Sequence, residues 1–368
     1  MNLRIPGPTP VPDDILSAVG KPMINHRGPE FSEMVRRVTD RLKQAFQTKG
    51  DILILTASGT GAMEAAITNL FSPGDKVLSV SIGYFGDRFS EIARAYGARV
   101  QELNFRPWGI PADPEKIRQA LQADPEIKGV LVTHNETSTG VTNDLKAIAQ
   151  VVKGEFNRLL VVDAISSLGS IPLPVDEWRC DVVATASQKG WMTPPGLAMV
   201  SVSQQAWEAS AKATMPRYYF DFASAKRYLS RGQTPATPAV SILYGLDVAL
   251  ERMLKEGMDR VFERHARIAR RTRDGVKALG LSLLPDERYA SNTVTAVKVP
   301  EGVDARKIID LLQQDHNVVV AGGQGPLDGE IIRIGHLGYV TDQDIDQTLA
   351  ALQKTLAKLG LQPARARV

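Results

Sequence analysis

The sequence predicts an α/β fold, with a large lobe built on a mainly parallel, helix-covered sheet and a smaller C-terminal α+β lobe. Three observations favour this prediction. Short, almost wholly apolar runs alternate with helical runs in the first part of the chain, as in parallel strands covered on both faces. A long helical pattern then interrupts the alternation. The 368 residues exceed one average domain, and at 43 % apolar they can bury a large core.

The predicted elements follow this order. Four prolines in residues 1–12 indicate an extended arm. The strands predicted for the large lobe are 51–56, 76–81, 129–134, 159–164, 181–186 and 197–202, and its helices are 31–47, 59–70 and 87–96. A helical region over 241–279 is broken near Gly257, and the elements after it are strand 293–299, helix 305–314, strands 318–321 and 331–334, and a helix from Asp342. We therefore predict an arm at 1–14, a large domain at 15–256 and a small domain at 257–368.

Composition narrows the class of protein. Lysine and arginine total 44 and aspartate and glutamate 41, so the net charge of +3 does not indicate a general nucleic-acid or membrane-surface role. Cys180 is the only cysteine, so neither an internal disulfide nor a cysteine metal cluster is expected, and a reducing compartment fits. No apolar signal core or membrane-length run is present, so a soluble, cytoplasmic protein is predicted. The basic tail 363–368 is read as a solvated terminus.

Polar residues at the ends of predicted strands are the candidates for a functional site, because ligands of parallel α/β sheets bind outside the carboxyl ends of the strands. Residues 56–64 (Thr-Ala-Ser-Gly-Thr-Gly-Ala-Met-Glu) join a strand to a helix. Free N–H groups and the helix dipole make such a junction a seat for phosphate. A Ser/Gly-rich helix cap without any ligand would have the same pattern.

Two further strand ends carry ionisable side chains. Asp163 ends an apolar strand, where burial of a carboxylate costs free energy unless the carboxylate has a partner. A protonated pyridine nitrogen would be such a partner. The alternative is an aspartate that caps the following turn. Lys189 directly follows another apolar strand, as suits an imine-forming lysine whose pKa is lowered by burial, although a surface lysine in a polar turn is the alternative. Gly190 would allow the backbone to pass close to a bulky ligand. Residues 133–140 also follow a strand, and their hydroxyls could line a pocket or simply form a turn.

The combination is more informative than any one motif. A phosphate seat, an aspartate and a lysine occur in that order on strand ends of one predicted sheet, and pyridoxal 5'-phosphate (PLP) needs an anion site, a pyridinium partner and an amine. At this point the sequence resembles the class V aminotransferases, fold-type I PLP enzymes that include the alanine–glyoxylate and serine–glyoxylate aminotransferases. The similarity runs from Pro6-Gly7-Pro8-Thr9-Pro10 to Arg333-Ile334-Gly335, and its most specific motifs are Ser-Gln-Lys-Gly around Lys189 and the run at 133–140.

The resemblance implies roles for individual residues. Lys189 would form the internal aldimine with PLP, Asp163 would pair with the pyridine nitrogen and Thr137 would contact the ring hydroxyl. The residues that hold the phosphate would be Ser58, Gly59, Thr60 and Gln188. Phe85 takes the position of a stacking aromatic that is tryptophan in mammalian relatives, Ile165 would pack on the other face of the ring, and Arg333 would bind the substrate carboxylate.

The resemblance also implies a homodimer in which each active site is completed by the partner. Thr237 matches the threonine that the partner donates to the phosphate site, whereas Thr234 stands where the family has a tyrosine. The N-terminal arm would wrap the neighbouring subunit. The reaction implied is ping-pong transfer of an amino group from alanine or serine to glyoxylate or a similar 2-oxo acid, with the freed Lys189 as general base.

Several alternatives remain open from the sequence. Ureidoglycine–glyoxylate and 2-aminoethylphosphonate aminotransferases share the cofactor residues, but the latter's substrate has no carboxylate for Arg333 to bind. A cysteine desulfurase would need a mobile cysteine, and Cys180 precedes an apolar strand as a structural residue would. A non-catalytic protein that retains the fold is a further alternative. A nucleotide-binding protein is disfavoured, because Gly-Thr-Gly at 59–61 lacks the Gly-Lys-Ser/Thr ending of a P-loop.

Overall fold

The computed structural model describes residues 1–361, so the tail 363–368 lies outside the described residues. The strands are β1 (Asn2–Arg4), β2 (Asp51–Leu55), β3 (Lys76–Ser81), β4 (Arg99–Asn104), β5 (Ile127–Thr133), β6 (Asn135–Glu136), β7 (Val141–Thr142), β8 (Leu159–Asp163), β9 (Val182–Ala186), β10 (Ala198–Val202), β11 (Val294–Lys298), β12 (Val318–Gly322) and β13 (Ile331–Gly335). The α-helices are α1 (Asp13–Val19), α2 (Pro29–Phe46), α3 (Gly59–Leu70), α4 (Tyr84–Ala95), α5 (Pro114–Ala123), α6 (Leu145–Ala149), α7 (Gln204–Ser210), α8 (Phe222–Leu229), α9 (Val240–Glu256), α10 (Met258–Ala278), α11 (Ala305–His316) and α12 (Asp342–Lys358).

A seven-stranded sheet forms the centre of the large lobe, with the strand order β2-β10-β9-β8-β5-β3-β4. Every neighbouring pair is parallel except the two that involve β10. Strands β8, β9 and β10 are buried along their whole length, because helices and loops cover both faces of the sheet. The predicted large lobe with a mainly parallel, covered sheet is therefore confirmed.

The predicted apolar runs coincide with buried strands to within one or two residues, and α3 begins and ends where the sequence indicated. Helix α4 is the instructive difference, since it begins at Tyr84, three residues before the predicted start. Its N-cap residue Gly83 provides no side-chain cap. The buried carboxylate of Glu136 accepts hydrogen bonds from the backbone N–H groups of Phe85 (3.0 Å) and Gly86 (3.1 Å) instead. The cap comes from 50 residues away, so local sequence cannot reveal it.

Several elements had no strong local pattern and were not predicted, among them β1, β4, α1, α5, α7 and α8. Edge strand β4 illustrates the reason: its residues alternate between exposed and half-buried, so it contains no apolar run. Strand β1 pairs in parallel with β12 of the same chain. The extended arm therefore begins as a strand of the small lobe, and its contact with a neighbouring subunit stays a prediction.

The small lobe contains a four-stranded sheet, β1-β12-β13-β11, packed against α11 and α12. Helices α9 and α10 are separated by Gly257, which has φ of 90° and so ends the first helix where the sequence predicted a break. The boundary between domains at residue 256 stays a prediction. Within residues 1–361 no helix is both long and apolar enough to cross a bilayer, and the cytoplasmic location likewise stays a prediction.

A buried ion pair fastens the helical layer to the central sheet. The Nζ of Lys153 donates to Asp181 (2.6 Å) and to Gln205 (2.7 Å), and both charged side chains are at most 3 % exposed. The same Asp181 carboxylate accepts from the backbone N–H of Leu160 (2.8 Å) and the hydroxyl of Ser203 (2.8 Å). Every charge is thus hydrogen-bonded, which offsets the cost of removing it from water.

We expect Lys153→Met to lower the free energy of unfolding by about 3–5 kcal/mol, because it leaves the Asp181 carboxylate buried without its cation. Urea unfolding followed by circular dichroism would measure the loss. The exposed Lys307→Met serves as the control and should change stability by less than about 0.5 kcal/mol. A Lys153→Met protein as stable as this control would show that the pair contributes nothing.

Candidate active site

A cavity of about 160 Å³ lies where β2, β5, β8 and β9 end in the same direction. The parallel strands bring the segments that follow them to one edge of the sheet. The residues that line the cavity are Ser58, Gly59, Thr60, Met63, Phe85, Arg88, Asn135, Thr137, Asp163, Ile165, Ser166, Gln188 and Lys189. The structure therefore brings together the three ionisable or anion-binding features that the sequence singled out.

The N-terminus of α3 forms one wall of this cavity. Ser58 is its N-cap residue, and its side chain makes no cap hydrogen bond, so the backbone N–H groups of the first turn have no side-chain partner. Gly59 is required by packing, since a Cβ there would lie 2.5 Å from Cδ1 of Ile165. The free N–H groups and the helix dipole together favour an anion at this point.

Asp163 is the last residue of β8 and is 4 % exposed. One carboxylate oxygen accepts from the backbone N–H of Ile165 at 2.9 Å, and the other accepts from the hydroxyl of Thr133 at 3.4 Å. Burial raises the pKa of Asp163 to about 7, and the nearby carboxylate of Glu136 adds to the rise. Among residues 1–361 its charged form therefore lacks a sufficient partner, as expected of a carboxylate that meets a cationic ligand.

Lys189 lies in the turn after the neighbouring strand β9, three residues beyond Ala186. Its Nζ donates to the carbonyl oxygen of Pro6 at 2.6 Å. Burial lowers the pKa of Lys189 to about 8, against the opposing attraction of Asp163. About a tenth of the amine is consequently neutral at pH 7, far more than for an ordinary lysine, and the neutral amine is the form that attacks a carbonyl group.

The N-terminal arm crosses directly over this lysine. Gly7 has φ of 136°, and a Cβ there would lie 2.4 Å from Nζ of Lys189, so the arm leaves no room for a larger residue. The hydroxyl of Thr9 donates to the carbonyl oxygen of Lys189 at 3.1 Å, and the N–H of Thr9 donates to that of Gln188. Residues 6–9 thus cover the lysine of their own chain. Gly190, in contrast, faces Ser170 and not the cavity, since its Cβ would lie 2.5 Å from the Ser170 hydroxyl.

Arg333, on β13 of the small lobe, points toward this region and is 7 % exposed. Its guanidinium donates to the carbonyl oxygens of Gly322 (2.7 Å) and Thr137 (3.1 Å) and to the amide oxygen of Gln324 (3.0 Å). Burial lowers the pKa of Arg333 to about 10, and the only carboxylate that opposes this shift is Glu136. Across residues 1–361 no carboxylate lies within 4 Å of this guanidinium, so Arg333 does not form an ordinary ion pair with another side chain of the described residues.

Thr234 and Thr237 do not reach the cavity of their own chain. The hydroxyl of Thr234 donates to the carbonyl oxygen of Ala236 at 2.8 Å, and the side chain of Thr237 belongs to an exposed residue. Cys180 is buried and burial raises the pKa of its thiol; it precedes β9, whereas Lys189 follows that strand at its other end. A cysteine nucleophile in this cavity is therefore ruled out.

Four lining residues were not predicted: Met63, Arg88, Asn135 and Ser166. Asn135 and Ser166 tie two strand ends together, since the Asn135 amide donates to the Ser166 hydroxyl at 2.8 Å. Asn135 lies inside the run 133–140, two residues before Thr137, and Ser166 directly follows Ile165, so proximity to the predicted positions was an available signal. Arg88 carried no such signal, because it is an ordinary cation on an amphipathic helix.

The mainly parallel α/β sheet with a smaller lobe, and a cavity at the strand ends lined by a lysine, an aspartate and a helix N-terminus, are the arrangement of the fold-type I transferases. The family model described as aminotransferase class V matches residues 13–347. The chain belongs to the class V aminotransferase family.

Individual relatives support this membership. The chain is 47 % identical over 360 residues to the "soluble hydrogenase 42 kDa subunit" of Anabaena cylindrica, covering 97 % of this chain and 94 % of that protein. It is 39 % identical over 363 residues to the L-aspartate–glyoxylate aminotransferase of Paracoccus denitrificans, covering 97 % and 91 %.

Solved structures show the same fold. The ureidoglycine–glyoxylate aminotransferase of Bacillus subtilis superimposes with a TM-score of 0.93 at 30 % identity, covering 100 % of this chain and 95 % of the other. An alanine–glyoxylate aminotransferase from Nostoc sp. superimposes with a TM-score of 0.92 at 31 % identity, covering 96 % and 94 %. These two structures therefore share the fold of this chain, while their names differ in the amino donor.

The lowered pKa of Lys189 predicts a specific pH dependence of its reactivity. In protein without cofactor, acylation of Lys189 should rise with pH to half its maximum at about pH 8, because the neutral amine is the reactive form. Peptide-resolved mass spectrometry after brief acylation at a series of pH values would measure this. Asp163→Asn should move the midpoint lower, since the carboxylate favours the charged lysine. A midpoint near the ordinary lysine value of about 10.4 would contradict the burial described.

Proposed function

We propose that the protein is a PLP-dependent transaminase that moves the amino group of a small amino acid, alanine or serine, to glyoxylate or a similar 2-oxo acid. The observation that carries the proposal is the convergence of Lys189, Asp163 and the N-terminus of α3 on one cavity, with the unpaired Arg333 beside it. Glyoxylate as acceptor is supported by the names of the aspartate-, ureidoglycine- and alanine-dependent enzymes to which the chain is similar.

The polar groups of the cavity fit PLP. The first turn of α3 provides N–H donors for a phosphate, with Ser58, Gly59 and Thr60 at that end and Gln188 beside them. The buried Oε1 of Gln188 has no partner among residues 1–361, which indicates that a polar ligand belongs here. Asp163 would hold the pyridine nitrogen and Thr137 the ring hydroxyl. Phe85 and Ile165 would lie on opposite faces of the ring.

Bound PLP supplies an aldehyde that condenses with amines and a ring that withdraws electrons from the substrate Cα. Asp163 would keep the ring nitrogen protonated, because its buried carboxylate is stabilised by a neighbouring positive charge. The neutral amine of Lys189 would take the proton from Cα and return it on the adjacent cofactor carbon. Arg333 would hold the substrate carboxylate so that this proton faces Lys189, and the N-terminal arm would exclude water from above.

We also propose that the working unit is a homodimer with a shared active site. Thr237 is exposed in its own chain and would complete the phosphate site of the partner, with Thr234 near it. The side chain of Arg27 fixes the segment that contains Thr234 and Thr237, since its guanidinium donates to the carbonyl oxygens of Thr234 (2.6 Å) and Pro235 (3.2 Å). Exposed apolar side chains, including Met23, Tyr218 and Tyr219, provide surface for such an interface.

Two other functions are alternatives to this proposal. The name of the Anabaena relative suggests a subunit of a larger assembly, with the fold retained but no transaminase activity. A different donor, such as ureidoglycine or aspartate, would keep the same cofactor residues. The 2-aminoethylphosphonate alternative is disfavoured by Arg333, because a buried unpaired guanidinium suits a carboxylate-bearing substrate.

A panel of amino donors assayed with glyoxylate and pyruvate tests the proposal. The purified protein should be yellow, and alanine or serine should give the highest turnover with glyoxylate. Initial rates should give parallel lines in double-reciprocal plots, because the two half-reactions use one site in turn. The Lys189→Ala control should lose both the visible absorbance and turnover. Converging lines would reject the two-half-reaction scheme, and a colourless, inactive wild-type protein would favour the non-catalytic reading.

Arg333→Ala should raise KM for every carboxylate substrate by about 10- to 100-fold, because a charge-assisted pair to the substrate is lost. Steady-state kinetics with two donors and two acceptors would measure the effect, with the visible absorbance confirming that cofactor remains bound. Arg333→Lys keeps the charge but not the two parallel hydrogen bonds, so it should be intermediate. An unchanged KM in Arg333→Ala would show that another residue binds the carboxylate.

A further inference from the structure

Arg88 lies in the second turn of α4 and lines the cavity together with the phosphate-seat residues. Its Nη1 donates to the hydroxyl of Thr60 at 3.4 Å. The helix α4 follows β3, so it brings this cation to the same sheet edge as the first turn of α3. The guanidinium therefore stands next to the position at which an anion is favoured.

Two aromatic rings hold the guanidinium in place. Its carbon lies 4.9 Å from the ring centre of Phe85 and 5.2 Å from that of Tyr84. These residues are three and four positions before Arg88 on one helix, the spacing at which side chains meet. Cation–π contacts limit the freedom of a long side chain without neutralising its charge. Arg88 is thus oriented before any ligand arrives.

Arg88 also lacks a carboxylate partner. The nearest candidate in sequence, Asp87, instead accepts from Arg106 at 3.0 Å and from the hydroxyl of Ser81 at 2.5 Å. Within the part of the chain that the structure describes, no carboxylate lies within 4 Å of the Arg88 guanidinium. On the same helix, Arg94 shows the ordinary arrangement, since it forms an ion pair with Glu102.

Positively charged side chains outnumber carboxylates in and around the cavity. Arg88 and Arg333 both lower the pKa of Lys189. Two buried carboxylates, Asp163 and Glu136, oppose these three cations, and burial raises the pKa of each carboxylate. An anionic ligand at the α3 end would offset the excess of positive charge.

We propose that Arg88 binds an oxygen of the cofactor phosphate beside Thr60, and so makes the site selective for PLP over unphosphorylated pyridoxal. This inference rests on the proposed function and adds a charged residue to the phosphate site, which otherwise consists of backbone N–H groups, hydroxyls and an amide. A guanidinium suits this role because its planar donors match the oxygens of a phosphate.

Equilibrium titration of the cofactor-free, full-length protein with PLP and with pyridoxal tests the proposal, using the visible absorbance as the signal. Arg88→Gln should weaken PLP binding by about 10- to 100-fold, the range of one charged hydrogen bond. Its affinity for pyridoxal should change by less than a factor of two. Arg94→Gln on the same helix is the matched control and should leave both affinities unchanged. Arg88→Lys should give a smaller loss, again confined to PLP.

The outcomes separate the possibilities. An equal loss of PLP and pyridoxal binding would show that Arg88 acts through the aromatic rings, and an unchanged PLP affinity would likewise overturn the proposal. An unchanged PLP affinity with a raised KM for aspartate would assign Arg88 to a second substrate carboxylate instead. If Arg88→Gln does not fold, the PLP-to-pyridoxal ratio of Arg88→Lys decides alone. A wild-type protein that binds neither compound would refute the proposed function itself.

Discussion

Burial of Lys189 and Asp163 at neighbouring strand ends is the constraint on which the rest of the site depends. Removal from water lowers the pKa of the amine to about 8 and raises that of the carboxylate to about 7, so burial disfavours the charged form of each group in the absence of a ligand. Parallel pairing of β8 with β9 places both at the same edge. Burial of both groups costs free energy in the protein without ligand, and a ligand that brings opposite charges offsets that cost.

Glu136 connects the elements around this pair. Its carboxylate is fully buried, begins α4 through the N–H groups of Phe85 and Gly86, and receives a further hydrogen bond from the Ser138 hydroxyl at 2.7 Å. The aromatic residue proposed to stack on the cofactor is therefore positioned by the loop that also contains Thr137. A change at Glu136 would disturb the ring contact and the field at Asp163 together.

The small lobe contributes to the site from the opposite side. Arg333 reaches Thr137 from β13, and residues 6–9 cross over Lys189 after β1 has joined the same small sheet. Both contacts join the small lobe to residues that line the cavity, Thr137 in one case and Lys189 in the other. Three of the similar proteins are named as aminotransferases that use glyoxylate, and these three names differ in the amino donor.

The sequence alone determined the alternation of buried strands and helices, the helix α3 and the positions of Asp163 and Lys189 at strand ends, because apolar runs and polar strand ends are local patterns. Tertiary structure alone decided the start of α4, the pairing of β1 with β12 and the place of Arg88 at the cavity. Each depends on atoms distant in the chain: a carboxylate 50 residues away, an edge strand over 300 residues away, and a seat formed by another helix. Local sequence patterns do not predict which distant groups will accept a hydrogen bond from a backbone N–H, or whether a charged side chain will find an ion-pair partner.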